Sequence, residues 1–238
     1  MLASAVMPSL VISIPRSFAW LRVQLTTHEA GSGRIGPVVP ELPGLGVHSV
    51  IVGLPEVDAD ELVPACEVLC QEGFTLWTVA PTQLGQLPAV LGMFGRRARV
   101  GVHGVTEPAE VVAAAAGGAA FAMSDFLLPA LVEAVPGFPV VLGGLTPSEL
   151  RAAAVAGAAA VQLVPSEAFG TGYLRILPQL LDERPVIASG KLERYQAELW
   201  LESGGLAVCP RDLVGPDAVL GETLDDLRVT LQHWRLGD

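Results

Sequence analysis

Lysine is nearly missing from this chain, since Lys191 is the only one among 238 residues. Basic side chains as a whole are scarce. Against 25 Asp and Glu stand 14 Lys and Arg, and the resulting net charge of −11 repels phosphate backbones and anionic lipid heads. Nucleic acid and membrane surfaces are therefore excluded from the expected partners. Cysteine is limited to Cys66, Cys70 and Cys209, which cannot all pair, and the first two sit four apart in an apolar segment where a helix turns both inward. A reducing, cytoplasmic setting accounts for that usage. Long apolar runs are missing too: the longest uncharged stretch, residues 73–95, carries Pro81, Gln83, Gly85, Gln86, Pro88 and Gly92, which suits no membrane-spanning helix. His28, His48, His103 and His233 are scattered, without grouped carboxylates, so no metal site is signalled. The Gly-Gly pairs at 117, 143 and 204 lack the flanking pattern of a nucleotide loop, and no cofactor is expected.

What the chain has is 51% hydrophobic content, enough for one sizeable core. Residues 1–14 are apolar but follow no basic residue and precede no clear cleavage site, unlike a secretory signal. Residues 15–45 mix Thr, Gly, Ser and Pro, so residues 1–45 read as a loosely ordered arm. From residue 46 to 238 the pattern becomes regular. Short β-branched or apolar runs at 48–52, 74–80, 99–102, 120–123, 139–142, 160–164, 185–188 and 206–209 are each followed by helical periodicity. Their centres advance by roughly 20 to 27 residues, the length of one strand, one helix and two short loops. Eight such units close most simply into a single α/β domain, a (β/α)8 TIM barrel. Thr146-Pro147-Ser148-Glu149 spells a capping box with Pro in the first turn, which starts a helix. Leu220, Leu224, Leu227, Leu231 and Trp234 recur at helical spacing and predict a closing helix over 220–236.

Chemistry in such a barrel sits where strands end and loops begin on the carboxyl-terminal side. There the residues become specific. Gly143-Gly144-Leu145-Thr146-Pro147-Ser148-Glu149-Leu150 follows the fifth run, and Val161-Gln162-Leu163-Val164-Pro165-Ser166-Glu167 passes through the sixth. Together they resemble the 2-keto-3-deoxy-6-phosphogluconate and 4-hydroxy-2-oxoglutarate aldolase family, which shows P-G-x-x-T-P-S-E and then, at the same distance, F-K-F-F-P-A. Glu72-Gly73-Phe74, Val100-Gly101-Val102-His103-Gly104-Val105 and Phe121-Ala122-Met123-Ser124 extend the resemblance over about residues 46–215. It implies a TIM barrel of the class I aldolase type and a homotrimeric lyase that cleaves a 2-oxo-4-hydroxy acid to pyruvate and an aldehyde through a lysine Schiff base.

The family's functional residues do not all carry over. Its lysine falls on Gln162, whose carboxamide forms no iminium, and its general-base glutamate falls on Thr78. No Asp or Glu occurs between Gly73 and Thr106, so no shift of register restores that base. Its two phosphate-binding glycine pairs correspond to Gly190-Lys191 and about Pro210-Arg211. The expectation is an aldolase-like barrel without Schiff-base lyase activity that binds a small anionic ligand, a 2-oxo acid or a phosphate. Gly143, Thr146, Gly190, Lys191 and Arg211 are the candidate ligand contacts. The alternative is an active aldehyde-lyase that uses Lys191 as a relocated amine. Lys191 also reads as a solvated loop lysine, and Gln162 as either an internally bonded amide or a donor to a keto oxygen. His103 reads as structural or as an acid–base group, Glu167 as surface charge and Ser124-Asp125 as a helix cap.

Overall fold

Strand and helix alternate eight times along the residues described by the computed structural model, 40–42, 49–219 and 224–236. The strands are β1 (Val52–Gly53), β2 (Leu76–Val79), β3 (Arg99–Val102), β4 (Ala122–Ser124), β5 (Val140–Gly144), β6 (Ala160–Leu163), β7 (Val186–Gly190) and β8 (Ala207–Pro210). Between and after them lie α1 (Ala59–Gln71), α2 (Leu87–Phe94), α3 (Pro108–Ala116), α4 (Ala130–Glu133), α5 (Pro147–Val155), α6 (Gly172–Leu180), α7 (Arg194–Glu202) and α8 (Leu224–His233). All strand pairs are parallel and in sequence order. Closure comes from the bridge between Val50 and Val208, where Ile51 N donates to Val208 O and Val208 N to Ser49 O, at 2.8 and 2.9 Å. The fold is a (β/α)8 barrel.

These residues lie in the compact unit Pro37–Asp238. The arm expected over 1–45 falls outside the described residues apart from 40–42, where Leu42 packs against the inner apolar cluster. Within the span read as a closing helix, α8 covers Leu224–His233 and buries Leu227 and Leu231. The capping box forms as its spelling requires: Thr146 Oγ1 accepts from Glu149 N at 3.3 Å, and Glu149 Oε2 accepts from Thr146 N at 2.8 Å. The backbone N–H groups of Thr146 and Leu145 hold the Glu149 carboxyl below the usual range.

Because side chains alternate across a strand, each barrel strand divides its residues between two apolar clusters. Val52, Trp77, Val100, Val102, Ala122, Val140, Leu142, Val161, Leu163, Ala188 and Val208 meet the helices in one. The other fills the barrel interior with Ile51, Leu76, Phe121, Met123, Val141, Ala160, Ile187 and Ala207. The β3 position in that layer is Gly101, and the Phe121 ring occupies its space: a Cβ there would fall 2.6 Å from the ring. Phe121 is 1% exposed and has nowhere to swing. Gly101→Ala is therefore expected to cost about 1–3 kcal/mol through overpacking, read as a lower urea midpoint. Adding Phe121→Leu recovers part of the loss, whereas an unchanged midpoint in Gly101→Ala contradicts this packing.

Candidate functional site

Two residues beyond the apolar inner layer, the same alternation brings eight positions to the carboxyl-terminal mouth: Gly53, Thr78, His103, Asp125, Gly143, Gln162, Ser189 and Cys209. Six of them carry polar or ionisable side chains. A cavity of about 410 Å³ opens there, walled by those six together with Met123, Arg211 and the segment after β1 that carries Glu56. Glu56, Asp125, Arg211 and Asp212 give its walls their charge.

Gln162, 2% exposed, is the hub. Its Nε2 donates to Ser124 O at 2.6 Å and to Asp125 Oδ1 at 3.2 Å, while its Oε1 accepts from Ser189 Oγ at 2.7 Å. Both amide hydrogens are thus committed inside the protein. Asp125 turns its other oxygen to Arg211, whose Nη2 donates to Oδ2 at 2.5 Å. The guanidinium stays 47% exposed, and among the described residues its Nε and Nη1 carry no hydrogen bond. Donors therefore remain for a ligand.

His103 Nδ1 lies 3.1 Å from Thr78 Oγ1. Burial lowers the imidazole pKa below its ordinary value, and the positive Arg211 adds to that while Asp125 and Glu56 oppose it. The ring is neutral at pH 7. Burial also pushes the Cys209 thiol up to about 11, so it is a protonated thiol rather than a nucleophilic thiolate. Among the described residues no group of His, Cys, Asp and Glu is placed to hold a metal ion.

Of the residues expected at the site, Thr78, Gln162 and Arg211 meet in this cavity. Lys191 does not line it and is exposed. Gly143 sits on the mouth ring, but the backbone of Asp125 fills the place of a side chain there. Thr146 is spent on the α5 cap. Gly190, at φ +149°, is covered by the Glu167 carboxylate, which a Cβ at Gly190 would strike. Asp125, read from sequence as a helix cap, instead bridges Gln162 and Arg211. The signal that finds it is alternation: it stands two residues after Met123, as Gln162 stands two after Ala160. Ser189 and Cys209 follow by the same count.

No family model matches the chain. Among curated proteins it is similar to 2-dehydro-3-deoxy-6-phosphogalactonate aldolase of Escherichia coli (strain K12), at 27% identity over 121 residues. That match spans 50% of this chain and 59% of the relative. Among solved structures, the native KDPGal structure superposes with a TM-score of 0.70 at 22% identity, covering 78% of this chain and 91% of that one. KDPG aldolase from Legionella pneumophila, crystallised with pyruvate captured as a covalent carbinolamine, gives 0.68 at 18% identity, covering 79% and 93%. The aldolase of Zymomonas mobilis ZM4 with 3-phosphoglycerate gives 0.66 at 18%, covering 79% and 91%. These superpositions concern the fold.

Proposed function

We propose, from the premise that this chain is a divergent member of the 2-keto-3-deoxy-6-phosphogluconate and 4-hydroxy-2-oxoglutarate aldolase family, that it binds a small 2-oxo acid at the barrel mouth without Schiff-base lyase chemistry. One observation carries the reading. The β6 position that supplies the family's amine is Gln162, locked to Ser124, Asp125 and Ser189, and among the described residues no lysine lines the cavity. Without an iminium, the electron sink for carbon–carbon cleavage is missing.

Arg211 is the group that meets the acid. A planar 2-oxo acid presents a carboxylate oxygen and a keto oxygen on one edge, and the guanidinium keeps one two-donor edge, made by the second Nη2 hydrogen with Nε or Nη1, beside the hydrogen given to Asp125. Glu56 and Asp212 on the same walls oppose an anion and keep the affinity low. The Glu167 carboxylate against Gly190 favours an unphosphorylated acid, since a phosphate there would meet a like charge. No observation favours the alternative with Lys191 as amine. The proposal extends to a homotrimer, the family's habit, for which exposed Phe126, Val155 and Ile176 supply apolar surface. It extends also to a reducing compartment, in keeping with three free cysteines. No described helix is long and apolar enough to cross a membrane.

Calorimetric titration with pyruvate tests the reading. Binding is expected for the wild type, with about a ten- to hundredfold loss in Arg211→Ala, the size of one or two charge-assisted hydrogen bonds. Pyruvate plus borohydride should leave the protein mass unchanged. An adduct mapped to Lys191 overturns the proposal.

A further inference from the structure

We infer that His103 is a general base for reversible proton transfer at C3 of the bound 2-oxo acid, making the barrel mouth an enolisation site. The inference rests on the proposed binding of a 2-oxo acid and adds a reaction to it.

The cavity contains few groups able to act on a ligand. Ser189 Oγ donates to Gln162, the Cys209 thiol is protonated, the Asp125 carboxylate is taken by Gln162 and Arg211, and the Glu56 and Asp212 carboxylates are exposed on the rim, Glu56 accepting from Thr82 Oγ1. His103 is different. It lines the cavity, is neutral at pH 7, and among the described residues its Nε2 has no hydrogen-bond partner. Thr78 holds the ring through Nδ1, and a hydroxyl both donates and accepts. When Nδ1 carries the proton it donates to Thr78 Oγ1 and Nε2 has a free lone pair. When Nε2 carries the proton, the Thr78 hydroxyl turns and donates to Nδ1. The bond persists in both tautomers, so the imidazole can take and return a proton at Nε2 without losing its orientation.

The step balances without a co-reactant. Nε2 takes a proton from C3, the C–H electron pair forms the C2–C3 double bond, and the carbonyl π pair becomes an enolate oxygen. That charge develops on the oxygen placed against the Arg211 guanidinium. The imidazolium returns a proton to C3, and in deuterated water it returns a deuteron after exchange with solvent.

Pyruvate in D2O, followed by proton NMR of its methyl group, is the probe, with binding measured on the same samples. Wild type should exchange the methyl protons about a hundredfold faster than His103→Gln, within the span of general-base effects. Thr78→Val is expected to lose about tenfold in rate while Thr78→Ser recovers it, which separates orientation from folding. The wild-type rate should rise with pH through a midpoint below the ordinary histidine value and then level off, because burial and Arg211 outweigh Asp125 and Glu56 at the ring. Equal exchange by His103→Gln and wild type overturns the inference, as does exchange lost only in Lys191→Ala. Pyruvate bound without exchange removes the proton-transfer step alone, and absence of binding removes the proposed ligand as well.

Discussion

Replacing Glu72 with leucine lowers the unfolding free energy by about 2–4 kcal/mol, read as a drop in the urea midpoint with an unchanged slope. Glu72 caps the carboxyl end of α1 and is 4% exposed. A carboxylate there faces the negative end of the helix dipole and stays only because cations reach it. Arg228 Nη1 donates to Oε1 at 2.6 Å from α8, and Arg235 Nη2 to Oε2 at 2.8 Å from just beyond it. Arg228 also reaches Gln71 Oε1 at 2.6 Å. Leucine supplies comparable apolar volume but abandons both guanidiniums. These are 36% and 39% exposed, so water partly recovers them and the loss stays below that for fully buried partners. Arg228→Gln, which leaves Glu72 with Arg235, should cost about 1 kcal/mol. A Glu72→Leu protein as stable as wild type would mean that the pairing of α1 with α8 is held by Leu227 and Leu231 alone.

Gln162→Leu is expected to be comparably damaging, at about 2–4 kcal/mol, and to damage the mouth as well as stability. The substitution removes the donor to Ser124 O, leaves Ser189 Oγ with Cys209 alone and frees Asp125 Oδ1. Asp125 then keeps only its contact with Arg211, and the pair loses its anchor to the barrel wall. Thermal unfolding should record the stability loss, and pyruvate titration should show weakened binding in protein that is still folded. An unchanged midpoint would show that Gln162 is dispensable to the wall. The two substitutions are opposite tests, since Glu72 acts from outside the barrel and Gln162 from within it.

Local rules make much of this protein legible in its sequence. The period of two in the strands, the period near 3.6 in the helices and the Thr146–Glu149 capping box depend only on neighbours along the chain. They specify eight βα units, and each of the eight runs overlaps a strand. The strands begin and end a few residues away from the limits of the runs, because hydrogen-bonded pairing, not apolar content, sets their extent. Absence is legible too: a single lysine in the chain and no carboxylate from Gly73 to Thr106 are facts of composition.

The site is less legible, and Asp125 shows why. Beside Ser124, after a strand, a short carboxylate is commonly a helix cap, and nothing local distinguishes that role from another. Its partner Arg211 is 86 residues away, and the two meet because β4 and β8 end at the same mouth of a closed barrel. Lys191 is the converse. Its place in the sequence, just after β7, suggests the mouth, yet it follows Gly190 by one residue and lies outside the cavity wall. Sequence by itself determined the eight-unit barrel, because it depends on residue type and short-range period. Only the tertiary structure decided that Thr78 orients His103 and that Asp125 joins Gln162 to Arg211. Strand register and ring closure set those distances, and both are collective properties of all eight strands.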